Sequence, residues 1–306
     1  MKIQIKITSS LLLLLLFPLW GFSQALVQTL QHPLSARGWS MGGASTAAVL
    51  DGSGLRYNPA ITSRITDQWQ GNLSSFVLDI MGGSAYTKVS LKGSTSLAAI
   101  LSYMDYGLFT ARDSDGQKTG EFNVQDISAG FNLSRALTEK TSLGISLSTF
   151  HAEMTRYSTN AVLLGIGALY YNPVSTFSLG ISYQNVPLHF SAFAGDTEKI
   201  EATLRIGISK DLAHLPLTLC VDLYRAYAGE YIARLGGEFH VIDHLFLRFG
   251  SSTRRFQIRS QQTFRNFLAA SSAGIGFMHQ NWMLDLAFIG LGDAGMISSV
   301  SISQRF

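Results

Sequence analysis

Ser142-Leu143-Gly144-Ile145-Ser146-Leu147-Ser148 alternates without a fault: every odd position is apolar, and every even position is Ser or Gly. A strand turns successive side chains to opposite faces, so a period of two marks a strand with one apolar and one small polar face. The pattern recurs on both sides of this stretch. Ile127, Ala129, Phe131 and Leu133 are separated by Ser128, Gly130 and Asn132. Phe177, Leu179, Ile181 and Tyr183 are separated by Ser178, Gly180 and Ser182. The polar face is thus built of Ser, Gly, Asn and Thr, not of the Lys and Glu expected on a sheet facing water. Small polar groups suit a crowded barrel lumen, and the apolar face then meets lipid.

A soluble β-sandwich alternates too, so composition has to decide. The chain of 306 residues is 46% apolar and only 14% charged, with 29 Gly and 6 Pro; a typical soluble domain is roughly 25% charged. A soluble protein this poor in charge needs a very large core, whereas a transmembrane barrel is solvated by lipid on its outside. The first residues agree. Lys2 and Lys6 precede an apolar run from Leu11 to Leu19, and Gly21 and Ser23 occupy the −3 and −1 positions of a cleavage site before Gln24. This is a secretory signal over 1–23, too short and wrongly flanked for a permanent helix. Losing its two lysines lowers the net charge of +3 by two, and a near-neutral chain gives no case for nucleic acid. The single cysteine, Cys220, forms neither an internal disulfide nor a zinc site.

The reading is therefore all-β: an antiparallel transmembrane barrel of about 14 strands over 68–306, preceded by a plug segment over 24–67, in the bacterial outer membrane. The strands are expected at 68–80, 84–92, 95–105, 122–134, 141–151, 159–171, 176–186, 201–209, 217–225, 231–240, 245–253, 270–278, 282–289 and 296–306. With strand one running outward, the longest connections, 106–121, 187–200 and 254–269, all fall outside, which is the usual asymmetry of such barrels. Val300, Ile302, Gln304 and Phe306 share one face of the last strand, resembling the terminal signal read by barrel-assembly machinery. Trp69, Tyr103, Tyr170, Tyr171, Tyr183, Tyr224 and Trp282 suit interfacial girdles. Residues 24–67 do not alternate; they hold Gly42, Gly43, Gly52, Gly54 and a Tyr57-Asn58-Pro59-Ala60 turn.

In this segment Pro33-Leu34-Ser35-Ala36-Arg37, Met41-Gly42-Gly43-Ala44, Asp51 and Asn58-Pro59-Ala60 resemble the N-terminal signature of the PorV/PorQ family. These are type IX secretion outer-membrane proteins, FadL-like barrels of 14 strands with an N-terminal plug. Tyr103-Met104-Asp105-Tyr106-Gly107-Leu108-Phe109, Gly236-Gly237-Glu238-Phe239 and Leu247-Arg248-Phe249-Gly250 are most similar to the PorQ branch. The resemblance implies a membrane anchor in a cell-surface attachment complex, with PorZ-like, PorU-like and PorV-like partners and lipopolysaccharide nearby. It carries over no catalytic residue and no cofactor. A FadL-like channel for a hydrophobic solute is the alternative, with a PorV-like cargo shuttle beside it.

No nucleophile motif points to an enzyme: Gly144-Ile145-Ser146-Leu147-Ser148 comes nearest to an elbow and is a strand. His240 and His244 with Glu238 and Asp243 read as a polar turn in preference to a metal site. Arg205, Asp222, Arg234, Glu238, Arg248 and Asp285 sit opposite the apolar face. They should point into the lumen, since Arg facing lipid at mid-depth costs roughly 2–4 kcal/mol. A charge network holding the plug is expected of them, with a selectivity ring as the sharper option. Arg254, Arg255, Arg259 and Arg265 crowd one outer loop without an acid. Guanidinium forks bind phosphate, so this loop is a candidate grip on lipopolysaccharide or an acidic partner.

Overall fold

The structure, a computed structural model, describes residues 26–154, 157–191, 200–225, 229–258 and 268–306; the signal at 1–23, with Arg259 and Arg265, lies outside them. Among the described residues fourteen strands follow one another: β1 (Gln68–Ser75), β2 (Met81–Ser90), β3 (Thr95–Arg112), β4 (Lys118–Ala136), β5 (Thr141–Met154), β6 (Tyr157–Asn172), β7 (Phe177–Ser191), β8 (Thr203–Asp211), β9 (Leu217–Arg225), β10 (Tyr231–Ile242), β11 (Leu245–Ser252), β12 (Ser271–His279), β13 (Trp282–Gly290) and β14 (Met296–Arg305). Each pairs antiparallel with its neighbours in sequence, and β1 pairs with β14 from Gln68↔Arg305 to Ser75↔Ser298, closing the barrel. The amide of Phe306 donates to Asp67 O at 3.1 Å, extending the seam to the last residue. No sheet edge is left along the seam, as a wall in hydrocarbon requires.

Alternation sorts the two faces as expected. Phe131 is 60% exposed while its neighbour Asn132 is 2% exposed. Leu143, Ile145 and Leu147 face outward, and Ser142 is buried inside. Trp69 and Trp282 meet edge to face at 5.8 Å at the mouth where β1 begins and β14 ends. Tyr103, Tyr157 and Tyr231 are exposed toward the other mouth. Connections at the first mouth, such as 91–94 and 243–244, are short, and the longest, 253–270, is at the other; that asymmetry makes the first mouth periplasmic.

Three expectations change. The outer loop 106–121 is mostly strand, because β3 and β4 run on to a turn at 113–117. The first strand stops at Ser75 rather than 80, and β7 reaches Ser191 rather than 186. Tyr224 belongs to no girdle: it is 1% exposed and faces the lumen.

The lumen is filled by residues 29–65. They contain one short helix, α1 (Ala36–Ser40), and 3-10 turns at Gly52–Gly54 and Pro59–Ser63. A segment so poor in regular structure leaves carbonyls without partners, and each one buried must find a donor. The small polar face of the wall supplies them. Ser178 and Ser182 donate to Ala47 O at 2.6 Å and Tyr57 O at 2.5 Å. Asn132 donates to Leu55 O at 2.8 Å, Ser134 to Ala60 O at 3.1 Å, and Ser272 to Ser40 O at 2.7 Å. Leu34, Leu55, Ala60 and Ile61 of the plug form an apolar cluster with Tyr86, Ala98 and Leu169 of the wall.

Candidate functional site

The signature residues fix how the plug sits. Gly42 and Gly43 have φ of +64° and +77°, a left-handed turn that only Gly adopts without cost. A side chain on Gly42 would also stand 3.0 Å from the backbone of Ser251 on β11. Asn58 caps the next turn by accepting from the Ala60 amide at 3.0 Å, and Pro59 follows at the first position, where no amide is needed. The Asn58 amide group donates to Thr46 O at 3.0 Å within the plug and Ala168 O at 3.1 Å in the wall. Wall glycines make room for this contact. A Cβ on Gly180 would lie 2.9 Å from Asn58 Nδ2, and one on Gly236 would lie 2.9 Å from Met41 Cβ.

The six inward charges divide into two groups. Toward the periplasm, Arg248 Nε bonds Glu238 Oε2 at 2.5 Å and its Nη1 bonds Asp285 Oδ1 at 2.7 Å. Arg37 of α1 donates to the other oxygen of Glu238 and stands 3.8 Å from Asp51. His240 Nε2 is 3.2 Å from the same Glu238 oxygen, so the polar turn expected there joins this network. Glu238 is fully buried, Asp285 is 2% exposed and Arg248 3%. Sequence reading missed Arg37 as a member, because the plug has no alternation to say which way a side chain points.

Nearer the outer mouth, Asp222 accepts from the backbone amides of Ser45 (2.9 Å) and Thr46 (3.0 Å) and from the Thr46 hydroxyl (2.7 Å). It caps a plug turn and, among the described residues, makes no direct ion pair with an arginine. Arg205 and Arg234 make no ion pair among the described residues. Each instead stacks on an aromatic ring: Arg205 lies 4.0 Å from the centre of Tyr224 and 4.3 Å from that of Tyr57, and Arg234 lies 4.7 Å from Tyr224. Arg205 also donates to Gln31 Oε1, and Arg234 to Gly43 O at 3.3 Å.

Beside Arg234 the lumen is not filled. A vestibule of about 410 Å³ opens there, lined among others by His32, Trp39, Phe76, Met104, Tyr106 and Ile297, with Arg234 and Arg254 at its polar edge. His32, Trp39 and Phe76 form a ring cluster with centroids 5.2–5.8 Å apart. Burial, then the nearby Arg56, Arg234 and Arg254, push His32 down to about 3, so it adds no charge to the cluster. Arg254 and Arg255 of the basic loop lie in a 3-10 turn at Thr253–Phe256.

The described residues contain no helix long and apolar enough to cross a membrane; the chain crosses with strands. The fold is that of the FadL-type outer-membrane barrels. The toluene transporter TbuX of Ralstonia pickettii is 13% identical, with a TM-score of 0.63 over 90% of this chain and 99% of that one. The toluene transporter TodX of Pseudomonas putida is 15% identical, with a TM-score of 0.62 over 94% and 100%. A FadL homologue of Pseudomonas aeruginosa is 12% identical, with a TM-score of 0.57 over 94% and 100%. No family model and no curated protein matches the sequence. At these identities the FadL-like neighbours show the fold of an outer-membrane barrel; they assign no ligand to this chain.

Proposed function

We propose that the protein is a plugged FadL-type outer-membrane barrel that binds a small hydrophobic solute from outside, in the vestibule above the plug. The observation that carries this reading is the cluster of His32, Trp39 and Phe76, rings set together in an open cavity of about 410 Å³ instead of in a core. That volume lies within the roughly 300–1,000 Å³ of ordinary ligand sites, and an apolar lining with few polar groups is their usual make-up. The solved neighbours named as toluene transporters support the same class of solute.

A second reading is favoured by the plug itself. All five signature residues, Gly42, Gly43, Asn58, Pro59 and Ala60, work to hold the plug against the wall. Every described strand pairs with both neighbours, so the wall offers no side opening there. A barrel sealed in this way suits a membrane anchor, and the resemblance to PorQ names the setting: an attachment complex with PorZ-like, PorU-like and PorV-like proteins. In that setting the basic loop of Arg254 and Arg255, with Arg259 and Arg265, would face lipopolysaccharide phosphates or an acidic partner.

One purification separates the two. A tagged copy is taken from native membranes in mild non-ionic detergent, and the sample is split for protein and small-molecule mass spectrometry. A bound apolar compound, lost in Trp39→Ala, with no stoichiometric protein partner, supports the solute reading. Stoichiometric attachment-complex proteins, lost when the four loop arginines become Ser, and an empty vestibule would replace it with the anchor.

A further inference from the structure

The wall carries another concavity, on its outer face. It measures about 660 Å³ and is lined by Leu133, Leu143, Ile145, Ile166, Ile181 and Tyr183 across β4 to β7, all of them exposed and turned away from the lumen. Two features of the sheet make it. Ala168 stands between Leu143 and Ile181 in one row of the ladder, so a short side chain leaves a gap between two long ones. One step toward the outside, the register of β6 against β7 slips between Leu164 and Ile166, and a bulge bends the strand that carries it. The plug backs the same stretch of wall from inside. A Cβ on Gly144 would lie 2.4 Å from the Pro59 carbonyl carbon, and one on Gly167 would lie 2.1 Å from Asn58 Oδ1. Contact this close fixes the wall, so the hollow is pre-formed.

Arg135 lines the periplasmic end of this hollow. It has the outward parity of Phe131 and Leu133, is exposed, and stands opposite Leu143 in the ladder. It makes no ion pair among the described residues. The other outward cation at a periplasmic strand end, Lys210, gives its ammonium to Ser175 O. A long basic side chain at the rim lays its stem along apolar surface and carries its charge to the headgroup layer. We propose that this hollow and Arg135 form a site for one phospholipid of the periplasmic leaflet. An acyl chain lies along the gap at Ala168, and the headgroup phosphate sits on the Arg135 guanidinium. The guanidinium gives phosphate two parallel N–H donors, and the chain needs only the unbroken apolar lining. The volume falls within the roughly 300–1,000 Å³ of ordinary ligand sites. An apolar face alone would take any lipid in passing; an unpaired cation at one end selects a phosphate and fixes which way the chain runs. The site lies outside the barrel and does not depend on what the vestibule binds.

The test uses the full mature barrel in non-ionic detergent, titrated with dioleoyl phosphatidylglycerol or with dioleoylglycerol and read by native mass spectrometry. The second probe has the same chains and no phosphate. Arg135→Gln removes the charge and Ala168→Phe fills the gap; both positions are on the outer face, away from the plug. Lys210→Gln removes a rim cation that is already engaged. The folded band on an unheated gel checks that each variant forms a barrel. The expected result is one phosphatidylglycerol retained per wild-type barrel, with an apparent affinity about tenfold or more lower in R135Q and A168F, as the loss of a charge-assisted hydrogen bond predicts for the first. K210Q should bind like the wild type. The proposal is overturned if the wild type holds phosphatidylglycerol no better than dioleoylglycerol, or if R135Q holds it as the wild type does. An equal fall in K210Q overturns it as well, since rim charge in general would then be at work. A wild-type dimer that becomes a monomer in A168F, with no lipid retained, overturns it in favour of a second copy of the chain in the hollow.

Discussion

The two ends of the same lumen handle buried charge in opposite ways. Toward the periplasm, cations and acids alternate, from Arg37 to Glu238 to Arg248 to Asp285. Toward the outside, Arg205 and Arg234 gather on the rings of Tyr57 and Tyr224, and the one carboxylate nearby caps a turn of the plug. The first arrangement pairs each cation with an acid and crosses from plug to wall, so it works as a lock. The second makes no ion pair among the described residues, and its Arg234 lines the open cavity.

If the inner group is the lock, removing its centre has the largest effect on the molecule. Glu238→Ala leaves Arg37 and Arg248 buried without their shared partner, and breaking a buried pair from one side costs roughly 3–5 kcal/mol. The folded band on unheated gels should be lost at a clearly lower temperature, and planar-bilayer recordings should show current where the wild type is silent. A silent and heat-stable E238A barrel would mean that the ion pairs do not hold the plug.

Shape should matter next. Gly236 lies on the wall where a Cβ would stand 2.9 Å from Met41 Cβ and 2.5 Å from Met41 O. Gly236→Val overpacks this contact, with an expected loss of about 1–3 kcal/mol and intermittent opening in the same recordings. A smaller effect is expected from Asp222→Asn. The amide keeps an acceptor for Thr46 but loses the charge assistance, so about 1 kcal/mol is at stake. Hydrogen exchange at the Ser45 and Thr46 amides should quicken while the Arg37 side of the plug stays protected. Equal quickening on both sides would show the plug moving as one body and erase the distinction between its ends.

The wall was legible in the sequence because one signal, period two, reports strand and face together. It failed where the period slips. At Asp105–Leu108 a bulge shifts the register of β3 against β4, with Gly107 at φ +83°, so alternation changes phase and the strand seems to end. β7 is misread for the same reason at Asn185, φ +60°, beside the shift between Leu164 and Ile166. Tyr224 could have been placed: it has the same parity on β9 as Asp222, which was read as inward. The plug was legible only as a region without alternation. The ring cluster of His32, Trp39 and Phe76 joins the plug to the loop after β1, and no spacing rule connects residues that meet only across the lumen.

The comparison is sharpened most by a change that should leave stability alone. Trp39 sits in α1, but unlike its neighbours Arg37, Gly38 and Ser40 it is not among the buried residues of that helix. It packs on His32 and Phe76 at the cavity rather than on the wall network. Trp39→Ala therefore removes a cavity wall and no link of the lock. The heat stability of the folded band and the silence in bilayers should match the wild type, while affinity for an apolar probe such as decanol should fall about tenfold, in line with the roughly 0.5–1.5 kcal/mol of an aromatic contact beyond its area. Should W39A instead open the barrel, the ring cluster would be part of the seal, and the outer half of the lumen would be a second lock rather than a receptor.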